Sequence, residues 1–234
     1  MSTLAQERRL AGRGAAEGLL YFTMLVLISL AVTALGFVGY AMWPSWPDTD
    51  VTVDAPALPI TVAGALFNVP PQAIRVAAQR HSGAQERVDL VYLWPSLAPP
   101  DPNGPAPSLA ARDRVFVTLA IATSLPPVER LKTIYPRYTA TEPAPGPPGL
   151  AIIAFRDGTP YQGEDLVFDA QAPEKFLARC ARAANPLMPA TCLAERRLAD
   201  ADVIARFPRD WLDNWRDVEA KLDELIGRLR PTGQ

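Results

Sequence analysis

The stretch GLLYFTMLVLISLAVTALGFVGYAMW, residues 18–43, holds no charged side chain, and the neutral run continues to Pro47. About 20 apolar residues in helical form cross about 30 Å of hydrocarbon, so this run is long enough to span a bilayer. A helix is required there, because each backbone N–H and C=O in hydrocarbon needs an internal partner. Arg8, Arg9 and Arg13 precede the run, and Asp48, Asp50 and Asp54 follow it. Lys and Arg are retained on the cytoplasmic side, which predicts a cytoplasmic N-terminus and an exported C-terminal part. Trp43 and Trp46 stand where an outer aromatic belt belongs, with Tyr21 and Phe22 near the inner edge.

A cleaved signal peptide is the competing reading. Its apolar core runs about 7–15 residues and ends at a small-x-small site. The run here is longer, and Gly39-Tyr40-Ala41 is a poor cleavage site. The expected organisation is a cytoplasmic tail (1–17), a transmembrane helix (18–43), a linker (44–57) and an extracytoplasmic domain (58–234). The inner membrane of a cell with a periplasm fits this plan, and the lipid bilayer is the first expected partner. Within the span, Ser29, Thr33, Gly36 and Tyr40 recur at helical spacing on one face. Small and hydroxyl residues let membrane helices approach closely, so this stripe is a candidate helix–helix contact.

Outside the span the chain is polar and rich in proline. There are 25 prolines, about twice the usual share, which favours short elements and rigid connections. Net charge is −2, which gives no footprint for nucleic acid or for a polybasic lipid contact. Cys180 and Cys192 are the two cysteines, and in an oxidising compartment they are expected to form a disulfide. The eleven residues between them include Asn185, Pro186 and Pro189, a bent segment that can bring its ends together. Zinc sites use closer ligand spacing, and no His lies near this pair.

Strand patterns occur at 58–69, 87–94, 114–124, 150–155, 163–169, 191–198 and 202–207. The run 114–124 is apolar on both faces, as expected for a covered inner strand. The pairs 150–155/163–169 and 191–198/202–207 read as hairpins. Helices are expected at 72–79, 128–135, 173–184 and 209–230. In the last, Trp211, Trp215, Val218, Leu222, Leu225 and Leu229 recur at steps of three and four. The fold class is therefore α+β: a mainly antiparallel or mixed sheet of five to seven strands with about three helices, behind one transmembrane helix. Hairpins alternating with helices argue against a doubly wound parallel sheet.

No nucleophile elbow, phosphate-binding glycine loop or C-x-x-C motif is present. His81 is the sole histidine and sits in a Ser-Gly loop. Asp48, Asp50 and Asp54 lack the glycine and terminal Glu of a calcium loop. Tyr161-Gln-Gly-Glu-Asp165 is polar enough for a pocket, but on a strand Glu164 and Asp165 point to opposite faces, so a solvated turn is expected. No catalytic residue, metal or cofactor is expected. Trp211 and Trp215 form a candidate partner face, with a core-packing helix as the plainer alternative. The expected function is a membrane-anchored envelope protein that binds, scaffolds or helps assemble a partner complex. A membrane-anchored hydrolase is the alternative.

Overall fold

A computed structural model describes residues 3–41, 51–102, 104, 112–182 and 189–231. The first unit is α1 (Thr3–Ala41), a helix of 39 residues. Its segment Tyr21–Tyr40 is 20 residues with a mean hydropathy of 2.2, long and apolar enough to cross a membrane. Every side chain from Tyr21 to Tyr40 is exposed. At 1.5 Å per residue this segment is about 30 Å long.

The second unit, from Pro47 onward, is an α+β domain. Its strands are β1 (Leu58–Val62), β2 (Ala65–Val69), β3 (Gly83–Ala84), β4 (Arg87–Leu93) and β5 (Arg114–Ile121), then β6 (Leu150–Ala154), β7 (Glu164–Asp169), β8 (Leu177–Ala181), β9 (Thr191–Leu198) and β10 (Ala201–Pro208). Helix α2 (Pro127–Thr133) follows β5, and α3 (Trp215–Leu229) follows β10. Seven strands form one antiparallel sheet in the order β4-β5-β10-β9-β8-β7-β6. A small mixed sheet, β2-β1-β3, is separate. The β1–β2 turn is Ala63-Gly64, with φ of 48° and 79°. Both residues are left-handed, the pattern of a type I′ hairpin turn.

Strand alternation gives the large sheet two faces. One carries Val88, Leu90 and Tyr92 of β4, Val115, Val117 and Leu119 of β5, and Val203, Ala205 and Phe207 of β10, all buried. Val218, Leu222, Leu225 and Leu229 of α3 belong to the same core, as do Ile60, Val62, Phe67 and Val69 of the small sheet. Each fully buried aliphatic side chain there contributes about 1.5–3 kcal/mol. On the opposite face, Leu166 and Leu177 pack with Tyr135 and Phe155 in a smaller cluster. That cluster includes Leu131 of α2 and covers the β7–β8 side, and α2 reaches β9 through the Arg130–Glu195 ion pair. The β4-β5-β10 side of this face has no helix over it among the described residues.

Several expectations are corrected. The described part of the expected helix 173–184, residues 173–182, is not helical; Leu177–Ala181 is strand β8, paired with both β7 and β9, and residues 183 and 184 lie outside the described residues. Residues 72–79 form two 3₁₀ turns, Pro71–Ala73 and Ala77–Gln79, separated by an extended Ile74 that bridges to Leu90. Residues 209–230 divide into a 3₁₀ segment, Arg209–Asn214, and α3. Part of the expected linker belongs to the domain. The Gln72 side-chain amide donates to the carbonyls of Thr52 and Val53, 2.8 Å each, and fastens that turn down. Residues 42–50 lie outside the described residues. On α3, Glu224 pairs with Lys221 at 2.8 Å and also meets Arg228.

Candidate partner-binding site

Cys180 and Cys192 are joined by a disulfide. They are directly opposite in the β8–β9 register and fully buried. The bond therefore ties strand to strand, not helix to strand. Glu164 and Asp165 do point to opposite faces of β7. Glu164 meets Arg179 at 2.9 Å, whereas Asp165 is buried and meets Arg209 at 2.5 Å. The expected solvated turn covers Tyr161 to Gly163 only, and the two carboxylates do not share a site. His81 is an exposed loop residue whose Nδ1 lies 3.0 Å from the Ser82 carbonyl. On α1, the Thr33 hydroxyl donates to the Ser29 carbonyl at 2.8 Å. Its hydrogen is satisfied within the helix. A Cβ at Gly36 would meet nothing within 4 Å, so this face stays open to close approach.

The two tryptophans of the candidate partner face separate. Trp215 opens α3 and is buried, 5.5 Å from the Phe176 ring, with its Nε1–H donating to the Pro148 carbonyl at 3.3 Å. Arg216 donates to the same carbonyl at 3.1 Å. Gly149 is left-handed (φ 87°), and a Cβ there would sit 2.6 Å from Arg216. Trp215 is thus a core residue, because the preceding 3₁₀ segment breaks the helical phase that would align it with Trp211. Trp211 lies in that 3₁₀ segment and stays half-buried. It stacks on Trp94, with ring centroids 4.2 Å apart and planes 25° apart. On its inner side Phe207 stacks at 5.8 Å. Three aromatic rings therefore run from the core to the surface.

Trp94 closes the expected strand pattern 87–94, which gives it no site role. It follows β4 immediately, and its amide donates to Asp113 O at 2.7 Å. The turn beyond it is closed by Leu97 N–H to Leu93 O and Leu93 N–H to Ala98 O, each 2.8 Å. Two residues earlier, Tyr92 is buried and its hydroxyl has no hydrogen-bond partner among the described residues. Burial raises its pKa above the ordinary tyrosine value.

Trp94 and Trp211 line a cleft of about 430 Å³ together with Pro95, Asp210, Asn214, Asp217, Val218 and Lys221. Asp210 is also held by Arg112 at 2.7 Å, with both side chains exposed. The cleft offers an aromatic wall, an apolar floor at Val218, and a rim of mixed charge in which Asp217 and Lys221 stand beside the Arg112-paired Asp210. That chemistry can seat an apolar or aromatic anchor. It contains no nucleophile–base pair. Among the described residues no group of three or more His, Cys, Asp or Glu is placed to hold a metal.

No family model and no curated protein matches this chain. Among solved structures, an immunity protein of the Stenotrophomonas maltophilia type IV secretion system is similar, with a TM-score of 0.50 and 15% identity. That match covers 78% of this chain and 98% of the other. An iron-regulated outer membrane lipoprotein of Neisseria meningitidis, FrpD, matches with a TM-score of 0.43 and 7% identity, over 76% of this chain and 99% of its own. At 15% identity the first likeness is one of fold: an α+β domain built on a mainly antiparallel sheet.

Proposed function

We propose that this chain is a single-pass membrane protein of the cell envelope, with its N-terminus in the cytoplasm, whose exported domain binds a protein partner. The domain holds or helps assemble that partner through the Trp94–Trp211 cleft. The observation that carries this reading is the stacked tryptophan pair at the surface of a cleft with an apolar floor. Tryptophan is a leading contributor to interface energy, and here Phe207 stacks behind the pair. A ring held before binding loses less conformational freedom on contact. The partner segment therefore carries an apolar or aromatic anchor.

Two further features support an anchored mode of action. The apolar segment Tyr21–Tyr40 has the length and hydropathy of a span. Tethering raises the effective concentration of the domain for any partner in the same membrane. Ser29, Thr33, Gly36 and Tyr40 supply a face of small and hydroxyl residues on which a partner's own span can pack.

Co-purification of full-length protein from native membranes in mild detergent tests this reading. A specific protein should be recovered with the wild type and lost with Trp211→Ala, while the Cys180–Cys192 disulfide remains formed. Equal recovery with a correctly folded Trp211→Ala protein overturns the assignment of the cleft.

A further inference from the structure

A second cleft, of about 340 Å³, lies on the opposite face of the large sheet, on the side that no helix covers. Strand register builds it. Phe116 of β5 is directly opposite Arg206 of β10, and Thr118 is directly opposite Asp89 of β4. Arg75 arrives from the extended link between the two 3₁₀ turns, held by its amide donating to Asp89 O at 2.9 Å. The guanidinium groups of Arg75 and Arg206 each lie 5.0 Å from the centroid of the same Phe116 ring. Leu193 and Ile204 add half-buried apolar surface beside them.

The charges in this cleft do not balance. Its lining has three arginines (Arg75, Arg87, Arg206) and one carboxylate, Asp89. Asp89 is already saturated. Its oxygens accept from Arg87 Nε (2.9 Å) and Nη2 (2.8 Å), Thr118 Oγ1 (2.8 Å) and Gln79 Nε2 (3.3 Å). An ionised carboxylate offers about four acceptor positions, so none is left for the other two arginines. Neither Arg75 nor Arg206 has a carboxylate partner among the described residues; each has the Phe116 ring. Burial, and then Arg75, lower the pKa of Arg206 below the usual arginine value. Arg114 lines a narrow space with Phe116 and Arg206, and its Nε and Nη1 are buried without a hydrogen-bond partner. The carboxylate of Asp113 is 3.6 Å away. Holding like charges together without a counter-charge is costly, and an anion relieves it.

We propose that the Arg75–Phe116–Arg206 cleft is a binding site for a small oxyanion-headed ligand, a carboxylate or phosphate group carried on a short apolar body. The head is held by the two guanidinium groups, whose planar forks suit oxyanions. The body lies on Leu193 and Ile204. The volume fits one small molecule and not a nucleic-acid strand. This site is separate from the Trp94–Trp211 cleft, on the other face of the sheet, and stands or falls independently of it.

Calorimetric titration of the full-length protein in a neutral detergent, with benzyl phosphate, inorganic phosphate and benzyl alcohol, tests the proposal. Benzyl phosphate should saturate one site, inorganic phosphate should bind the same site more weakly, and the uncharged alcohol should not bind. Arg75→Gln removes an exposed side chain and leaves the core untouched, so it should weaken benzyl phosphate about ten-fold or more. Arg206→Gln should do the same, and Trp211→Ala should leave the affinity unchanged. A short-chain phosphatidic acid that competes with benzyl phosphate would make the natural source a lipid headgroup. Failure to compete would make it a free organic anion. Absence of saturable binding by either phosphate, or an affinity unchanged in Arg75→Gln, overturns the proposal.

Discussion

Replacing Cys180 and Cys192 together by Ala should destabilise the domain by about 3–4 kcal/mol and loosen one half of the sheet more than the other. The sequence separation is 12 residues, for which loop-closure entropy alone amounts to about 3 kcal/mol. Both sulfurs are fully buried, so their loss also leaves small voids, adding up to about 1 kcal/mol. In a domain of this size that corresponds to a fall in melting temperature of about 6–15 °C. The location of the effect follows from register. Strands β8 and β9 share only three paired positions, Ala178↔Ala194, Arg179↔Leu193 and Cys180↔Cys192. By contrast β9 and β10 share eight, from Ala201↔Leu198 to Pro208↔Thr191. The disulfide reinforces the shortest ladder in the large sheet, the one that joins β6-β7-β8 to the rest. Hydrogen exchange should therefore rise most at the amides of β7 and β8, with β5 and β10 little changed. A fall in melting temperature under about 2 °C, or exchange raised equally across all seven strands, would refute the reasoning.

Asp89 makes a pH-dependent contribution. The hydrogen bond from Arg87 is the main cause that brings its pKa down from 3.8 to about 2. A carboxylate depressed in the folded state stabilises above the unfolded value, and that stabilisation is lost as pH falls through the folded one. The stability gap between wild type and Asp89→Asn should therefore be about 1 kcal/mol near neutral pH, after solvent screening, and should close between about pH 4 and pH 2. A gap that stays constant across that window would contradict it. Glu195→Gln should cost about 3 kcal/mol in urea unfolding, because Glu195 meets both Arg130 and Arg179 in a mostly buried cluster. Arg179 keeps Glu164 at 2.9 Å, which holds the loss near the lower end for a broken buried pair. Topology is tested by thiol labelling, since the two native cysteines are disulfide-bonded. An impermeant reagent should reach Ser82→Cys when the outer face of the membrane is exposed, and Ser2→Cys only after lysis. The reverse pattern would invert the assignment.

The hairpins were legible because alternation is a local signal. Leu150–Ala154 with Glu164–Asp169, and Thr191–Leu198 with Ala201–Pro208, lie within two residues of their expected positions. Strand β8 was not legible, for a physical reason. Phe176, Leu177 and Cys180 fit a helical face, and Ala and Arg are good helix formers. What makes this segment a strand is pairing on both sides, with β7 and β9, and no local pattern encodes that. At 72–79, edge pairing overrides local preference: Ile74 extends to bridge Leu90, and Arg75 follows it into contact with Asp89. Candidate site residues divide in the same way. Trp211 was visible as a large aromatic on an amphipathic stretch, but its 3₁₀ geometry was not, so Trp215 was placed beside it on the same face. Trp94 follows strand β4, more than a hundred positions earlier, and meets Trp211 only in the fold. The Phe116–Arg206 pairing depends wholly on the β5–β10 register.

The claim that the exported domain acts by holding a partner at the Trp94–Trp211 cleft is tested most directly by photocrosslinking in living cells. A photoreactive amino acid placed at the exposed rim residue Asn214 should give one discrete adduct with another protein. The same group at Asp157, whose side chain is 97% exposed and away from the cleft, should give none. No adduct from position 214, or the same adduct from both positions, would contradict the account.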